Sequence, residues 1–191
     1  MIGNPLKVED IMSELGRGGM LLPEIQRGYV WKRSQISKLL DSIYHSYPTG
    51  SILLWDTVEP ITTKEMVTNV GASKQSDFAP KIVLDGQQRI TSLGRVFDSE
   101  TPRPERIFFN VMDEVFEPYS PRNVSDPRWI DVTEMLTDSL SELDILDRLL
   151  DARVLDVNDK PTKNQVMDRL KKVSGIRKYQ FPVEIVREQD L

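Results

Sequence analysis

The sequence has no cysteine and a single histidine, His45. Disulfide bonds, cysteine-type zinc sites, thiol catalysis and any site that needs two histidines are therefore excluded. Long apolar runs are also missing, because the longest, such as residues 51–55, hold only four or five residues and cannot span a bilayer. The first seven residues lack the apolar stretch of a signal peptide, so we expect a cytoplasmic location and no membrane partner. Any catalysis must use carboxylates, amides, hydroxyls, lysine and arginine.

The chain also lacks an excess of positive charge. Its 191 residues carry 25 Lys+Arg and 30 Asp+Glu, a net charge of -5. Residues 1–95 hold 11 basic and 10 acidic side chains (net +1), whereas residues 96–191 hold 14 and 20 (net -6). Such a chain has no global attraction for DNA, so any contact with nucleic acid must be local or come from another part of a larger protein.

Hydrophobic spacing predicts helices and strands that are scattered between one another. The predicted helices are 7–15, 34–47 with Ser34 as N-cap, 87–97, 141–154 and 163–172, and the predicted strands are 51–55, 81–85, 107–112 and 181–186. This order favours an α+β (mixed α/β) fold with a small mixed sheet flanked by helices. The length predicts one domain over residues 1–191, with a core motif region at 5–97 and a helical extension with a final strand at 98–191.

The most informative stretch is 82–93, in which a buried strand delivers Asp85 to its C-terminal end and a helix follows at once. Gly86 permits the tight turn between them. The first backbone N–H groups of the helix then point outward with the positive end of the helix dipole, which makes an anion site. Arg89 adds donors suited to phosphate, Asp85 is a candidate Mg²⁺ ligand, and Gln87 or Gln88 could hydrogen-bond a base, a ribose or a water molecule.

The spacing alone favours a purely structural interpretation of this stretch, since strand–glycine–helix turns are common. Asp85 would then be a capping carboxylate, Arg89 a surface arginine and the glutamines ordinary first-turn residues. The sequence contains neither a Walker-type Gly-x4-Gly-Lys-Ser/Thr motif nor a Gly-x-Gly-x-x-Gly motif, so a P-loop NTPase and a Rossmann enzyme have no support.

The second candidate stretch is 22–31, a loop before the helix predicted at 34–47. Its aromatic residues alternate with basic ones, which is a pattern that can stack a base and bind phosphates. The alternative is a loop fixed by buried aromatic side chains, with the basic residues exposed. The residues concerned are Gln26, Arg27, Tyr29, Trp31, Lys32 and Arg33.

Taken together, the two stretches resemble a known family. The matching pattern is Pro23-x-Ile25-Gln26-Arg27-x-Tyr29-Val30-Trp31, a helix with Gln35, Leu39, Leu40, Asp41, Ser42 and Ile43, then Tyr47-Pro48-x-Gly50, then Leu84-Asp85-Gly86-Gln87-Gln88-Arg89-Ile90-Thr91. It is similar to the N-terminal domain of GmrSD-type restriction endonucleases, a domain related to the ParB and sulfiredoxin superfamily. The resemblance is close over 5–97 and looser up to 179–186.

The resemblance implies a module that binds and hydrolyses nucleoside triphosphates and gates a separate nuclease domain acting on phage or modified DNA. Carried over by position, the implied catalytic residues are Asp85, Gln87, Gln88 and Arg89, with Asp85 as the Mg²⁺ ligand. The implied nucleotide-binding residues are Gln26, Arg27, Tyr29, Gly86 and Thr91. Sulfiredoxin chemistry is excluded, because its essential cysteine has no counterpart in this sequence.

Family members typically continue into a Phe-x-Arg-x-Asn type motif, further helices and often a His-Asn-His nuclease, none of which lies in this sequence. We therefore expect no nuclease activity from the chain alone and expect it to be part of a longer protein. Two non-enzymatic alternatives remain open: a module that senses DNA or a DNA modification, and a module that docks on its nuclease partner through acidic helices. The first would use a local basic face that includes Arg17, Lys32 and Arg33.

Overall fold

The computed structural model describes residues 1–23, 29–56 and 80–187. The strands are β1 (Ile2–Lys7), β2 (Met20–Leu21), β3 (Ile52–Asp56), β4 (Lys81–Asp85), β5 (Ile107–Asn110), β6 (Val115–Pro118), β7 (Trp129–Asp131) and β8 (Gln180–Arg187). The helices are α1 (Val8–Gly16), α2 (Arg33–Tyr44), α3 (Gln87–Val96), α4 (Pro121–Ser125), α5 (Val132–Leu136), α6 (Glu142–Asp151) and α7 (Lys160–Ser174). These elements confirm the predicted α+β fold.

The chain divides into two compact units. The first contains residues 1–31, 48–95 and 178–191, and the second contains residues 32–47 and 96–177. The extension predicted at 98–191 is thus shared between them, because its final strand belongs to the first unit. Within the described ranges, no helix combines the length and the apolar character that a membrane crossing requires.

The first unit is built on a five-stranded mixed sheet with the order β1-β8-β3-β4-β2. Strand β8 pairs antiparallel with β1 and parallel with β3, while β4 pairs antiparallel with β3 and parallel with β2. Its core is formed by apolar side chains of the inner strands and of α3, which are at most 3% exposed: Ile52, Leu54, Ile82, Val83, Ile90, Leu93, Phe181 and Val183. Apolar side chains are buried on both faces of β4, and this burial fixes the register of the strand. The position of its last residue, Asp85, at the end of the sheet follows from that register.

The second unit combines a three-stranded antiparallel sheet, β6-β5-β7, with α2 and α4–α7. A polar network links three of its elements. The Tyr44 hydroxyl donates to the Glu114 carboxylate over 2.6 Å, and Arg169 Nε lies 2.9 Å from the other oxygen of that carboxylate. Arg169 also donates to the main-chain carbonyls of Val111 and Met112 at 3.0 and 2.8 Å.

Charge and hydrogen bonding in this network shift two pKa values in opposite directions. The hydrogen bond from Tyr44, together with the positive charge of Arg169, lowers the pKa of Glu114 below its ordinary value. Burial and the adjacent Glu114 carboxylate raise the pKa of Tyr44 well above its ordinary value. Both shifts favour the pair as observed, with an ionised carboxylate and a protonated hydroxyl.

The helix predicted at 34–47 is confirmed as an element, but its two ends were predicted wrongly. It begins at Arg33, so Ser34 lies inside the helix and Lys32 is the N-cap. The Gln35 side chain accepts a hydrogen bond from the Lys32 N–H over 2.9 Å. It ends at Tyr44, because Ser46 adopts a left-handed φ of 58° and Pro48 disfavours a helical residue before it. Tyr47, which the spacing placed on the buried face, is 57% exposed.

Candidate functional site

The predicted strand–glycine–helix junction is confirmed at Asp85–Gln87. Strand β4 ends at Asp85, Gly86 has a φ of +92°, and α3 begins at Gln87. That φ lies in the left-handed region that residues with a Cβ rarely adopt, so glycine is required there. A Cβ at Gly86 would also lie 3.3 Å from Arg89 Nη2 and 3.4 Å from Ile52 Cγ1. The φ therefore requires glycine at this turn, and the Arg89 guanidinium leaves little room for a Cβ beside it.

Asp85 is the acidic group that this junction presents to solvent. Its side chain is 75% exposed, and its closest ionic partner, Arg89 Nη2, is 3.4 Å away, which is long for a charge-assisted hydrogen bond. The first N–H groups of α3 begin directly beside it, and an α-helix has no internal acceptor for its first four N–H groups. The junction thus combines an exposed carboxylate with the positive end of a helix dipole, an arrangement that suits a phosphate accompanied by a cation.

The two glutamines of the predicted site turn their side chains toward the protein. Gln87 Nε2 donates to the carbonyl of Val83 over 2.8 Å, which ties the first residue of α3 back to β4. Gln88 Oε1 accepts from the main-chain N–H of Val30 over 3.1 Å. These amides hold neighbouring chain segments around the helix start.

Arg89 is largely buried, with its side chain 13% exposed. Its Nη1 donates to the carbonyl of Thr49 and its Nη2 to the carbonyl of Ser51, both over 2.7 Å. Gly50 between these two carbonyls has a φ of +88°. The structure therefore joins Asp85 and Arg89 to the segment before β3, which lies more than thirty residues earlier in the sequence.

Tyr29 also reaches α3. Its hydroxyl lies 3.0 Å from Ser92 Oγ, and the Arg95 guanidinium lies 4.0 Å from the centre of its ring, within the range of a cation–π contact. Tyr29 thus contacts the helix that begins at the candidate site, and its role in nucleotide binding stays a prediction. The predicted residues Gln26 and Arg27 lie outside the described residues.

The remaining predicted residues are placed as follows. Thr91 is half-buried on α3, one turn after Gln87. Arg17, predicted for a DNA-binding face, is exposed and forms an ion pair with Glu14. Lys32 and Arg33 are exposed at the start of α2, in the second unit.

Four residues of this region were not singled out in the sequence: Thr49, Ser51, Ser92 and Arg95. Thr49 and Ser51 contribute main-chain carbonyls, for which side-chain identity gives no signal. Ser92 is fully buried and follows Gln88 by one helical turn, and its Oγ donates to the Gln88 carbonyl over 2.7 Å. The four-residue spacing from Gln88 to Ser92 is a signal that could have indicated a shared helix face.

The residues described contain no group of three or more acidic or histidine side chains that could hold a metal ion by themselves. Asp85 provides one exposed carboxylate. This suits Mg²⁺ that arrives with a nucleotide, because Mg²⁺ commonly takes one or two carboxylates, phosphate oxygens and several water molecules. A single carboxylate is therefore compatible with the prediction that Asp85 binds Mg²⁺ together with a nucleotide. It is incompatible with a metal site built from the described residues alone.

Comparison with known proteins gives two findings. An uncharacterized protein of Methanocaldococcus jannaschii is 32% identical over 94 residues, which cover 44% of this chain and 15% of that protein. The chain thus corresponds to a small part of the length of this relative. The family model of the GmrSD restriction endonuclease N-terminal domain matches residues 8–189, nearly the whole chain. This chain belongs to the family of GmrSD restriction endonuclease N-terminal domains.

Proposed function

We propose that this chain is the nucleoside triphosphate-binding and -hydrolysing regulatory domain of a restriction system that acts against phage. In this proposal, nucleotide hydrolysis gates a separate nuclease domain of the full-length protein, which acts on phage or modified DNA. The observation that carries the proposal is the exposed Asp85 carboxylate at the start of α3, in a chain of the GmrSD family.

The chemistry proposed for this site depends mainly on positioning. Phosphate oxygens bind the N-terminal N–H groups of α3, where the helix dipole favours negative charge. The Asp85 carboxylate orients the attacking water molecule and accepts its proton. The water oxygen bonds to the γ-phosphorus as the bond from that phosphorus to the β–γ bridging oxygen breaks, which releases phosphate and the nucleoside diphosphate. Mg²⁺, when bound with the nucleotide and Asp85, supplies positive charge to the phosphate oxygens. Tyr29 stands beside α3 as a candidate stacking surface for the base.

The test is a nucleotide titration of the purified chain with ATP, GTP, CTP and UTP, with and without Mg²⁺. The melting temperature and phosphate release are both followed. A nucleotide present at about ten times its Kd stabilises the native state by roughly 1.4 kcal/mol, which raises the melting temperature of a domain of this size by a few degrees. Asp85→Asn should abolish phosphate release while Asp10→Asn, a change at an exposed carboxylate of α1, should not.

Three outcomes separate the function classes. A nucleotide-specific shift with phosphate release supports the proposal. DNA binding that weakens steeply with salt, without any nucleotide effect, would favour the DNA-sensing module. The third outcome is that the chain shows neither a nucleotide effect nor DNA binding, while the full-length protein hydrolyses nucleotide even with Asp85→Asn. Hydrolysis would then belong to another region, and this domain would be a docking module.

A further inference from the structure

Arg89 has the geometry of a clamp around a segment of main chain. Its Nη1 and Nη2 each donate over 2.7 Å to a carbonyl, one of Thr49 and one of Ser51. Hydrogen bonds with a charged donor are the stronger kind, and a carbonyl that loses such a donor in a partly buried place is left without its partner. Moving the guanidinium toward a ligand would therefore break two favourable contacts.

Gly50 makes this clamp possible. Its φ of +88° turns the carbonyls before and after it toward the same guanidinium. A Cβ at Gly50 would lie 2.9 Å from Arg89 Nη1, and a Cβ at Gly86 would lie 3.3 Å from Nη2. The guanidinium thus fits between two glycines from different loops, and a side chain at Gly50 would displace it.

The clamp joins the two strand ends that frame the candidate site. Thr49–Ser51 leads directly into β3, and Leu53 of β3 is paired with Asp85, the last residue of β4. Arg89 also lies 3.4 Å from the Asp85 carboxylate, which remains 75% exposed while Arg89 is 13% exposed. Solvent, and any ligand, therefore meets Asp85, and Arg89 lies behind it.

We propose that Arg89 is a positioning residue, which fixes Thr49–Ser51 and Asp85 at the start of α3 through main-chain hydrogen bonds and does not itself bind the nucleotide phosphates. This inference rests on the proposed function and replaces the phosphate contact of Arg89 that the sequence predicted. Gln87 and Gln88 are engaged with the carbonyl of Val83 and the N–H of Val30 in a similar way. The ligand-facing groups of the motif are then Asp85 and the main-chain N–H groups.

The test uses two kinds of substitution. Both disrupt the hydrogen bonds of Arg89 to Thr49 and Ser51, but only one kind also removes the positive charge at position 89. Gly50→Ala keeps the guanidinium but places a Cβ against it, Arg89→Lys keeps the charge but offers one nitrogen where two are needed, and Arg89→Ala removes both. Gly16→Ala is the control for a Cβ that meets nothing within 4 Å. Because the φ of +88° makes any side chain at Gly50 strained by itself, the double variant with Arg89→Ala separates that strain from the contact with the guanidinium. Melting temperature is measured without nucleotide, and kcat and KM with each of ATP, GTP, CTP and UTP and Mg²⁺.

We expect Gly50→Ala, Arg89→Lys and Arg89→Ala each to lower the melting temperature by several degrees and kcat by about tenfold or more, with a smaller change in KM. Adding Gly50→Ala to Arg89→Ala should cost less than the sum of the two changes, since the Cβ no longer meets a guanidinium. Gly16→Ala should behave as the wild-type protein does.

The opposite pattern would overturn the inference. Three results together would mean that Arg89 acts on the nucleotide through its charge. Arg89→Ala would raise KM and leave the melting temperature unchanged, and Arg89→Lys would restore nucleotide binding. Gly50→Ala would have the same melting temperature and kcat as Gly16→Ala. Should Gly50→Ala fail to fold, hydrogen exchange in nucleotide-free Arg89→Lys decides: we expect faster exchange at Ile52–Leu54, and wild-type rates there would refute the clamp. If the wild-type protein turned over no nucleotide, the proposed function would be refuted. The melting temperatures and the hydrogen-exchange rates of the variants would still decide whether Arg89 holds Thr49–Ser51 in place.

Discussion

Each unit of this protein contains an arginine that binds two main-chain carbonyls and one carboxylate. In the first unit Arg89 binds the carbonyls of Thr49 and Ser51 and lies near Asp85. In the second unit Arg169 binds two carbonyls of the turn after β5 and lies near Glu114. The two arginines therefore stabilise loops by the same means, and the difference between the regions lies in the carboxylates.

Glu114 is fully engaged with protein groups, whereas Asp85 is not. Glu114 is 2.9 Å from Arg169, accepts a 2.6 Å hydrogen bond from Tyr44, and has a side chain that is 32% exposed. Asp85 is 3.4 Å from Arg89 and 75% exposed. A carboxylate that already has two close partners contributes to stability, whereas one that a rigid support holds out to solvent is available to a ligand. Glu114 therefore has the contacts of a structural carboxylate, and the exposure of Asp85 is compatible with the ligand-binding role proposed for it.

The largest effect on stability is expected for Arg169→Ala. The substitution removes the donors of two carbonyls and leaves the Glu114 carboxylate without its cation, which costs about 2–4 kcal/mol of unfolding free energy. Urea denaturation of this variant measures the loss, with Arg122→Ala, a change at an exposed arginine of α4, as the control. A loss no greater than that of the control would mean that the network in the second unit is not structural and would break the comparison.

A smaller and pH-dependent effect is expected for Glu114→Gln. Because the folded state lowers the pKa of Glu114, the ionised group contributes stability above its unfolded pKa of about 4.3, and this contribution disappears as the pH falls through the lower folded value. The carboxylate is partly exposed, so we expect the variant to be less stable by about 1 kcal/mol at neutral pH. The difference in stability between the two proteins should shrink as the pH falls from the unfolded pKa through the lower folded pKa of Glu114.

The control for this measurement is Glu117→Gln, at an exposed carboxylate of β6 in the same unit. Its stability should follow that of the wild-type protein across the same pH range. A constant difference between wild-type protein and Glu114→Gln from neutral to acidic pH would contradict the role given to the ionised carboxylate.

The smallest effect on stability is expected for Asp85→Asn. Since its side chain is mostly exposed and its ion pair with Arg89 is long, at 3.4 Å, the unfolding free energy should change by less than about 0.5 kcal/mol. The same substitution should abolish phosphate release under the proposed function. A large loss of stability would show that Asp85 and Glu114 have similar structural roles, and would remove the distinction between the two regions.

Local patterns were sufficient to predict most elements of the first unit and the turn of the candidate site. Strand 81–85 was predicted with the bounds observed, and Gly86 between it and α3 was recognised from residue type alone. Strand β1 was not predicted, because Gly3 and Pro5 weaken the strand signal and its pairing with β8 depends on residues near the other end of the chain. The two short strands β6 and β7 were missed as well.

The contacts of the site were not predictable in the same way. Spacing identified Asp85 and Arg89 as candidates, but it did not distinguish an arginine facing a ligand from one facing carbonyls. That distinction depends on Thr49 and Ser51, which offer main-chain atoms that any residue has. The glycine at position 50 was the signal present in the sequence. Its positive φ and its contact with Arg89 of α3 are visible only in the structure.

The position of β8 has a consequence for the synthesis of the protein. Because β8 lies between β1 and β3, the sheet that carries Asp85 is incomplete until residues 180–187 have left the ribosome. All residues of the second unit precede that strand in the chain, so they can fold first. At about 5–20 residues per second, the motif at 85–89 is made roughly 5–20 s before the strand that completes its sheet. The nascent chain therefore carries its candidate site for seconds before the sheet that supports it is complete.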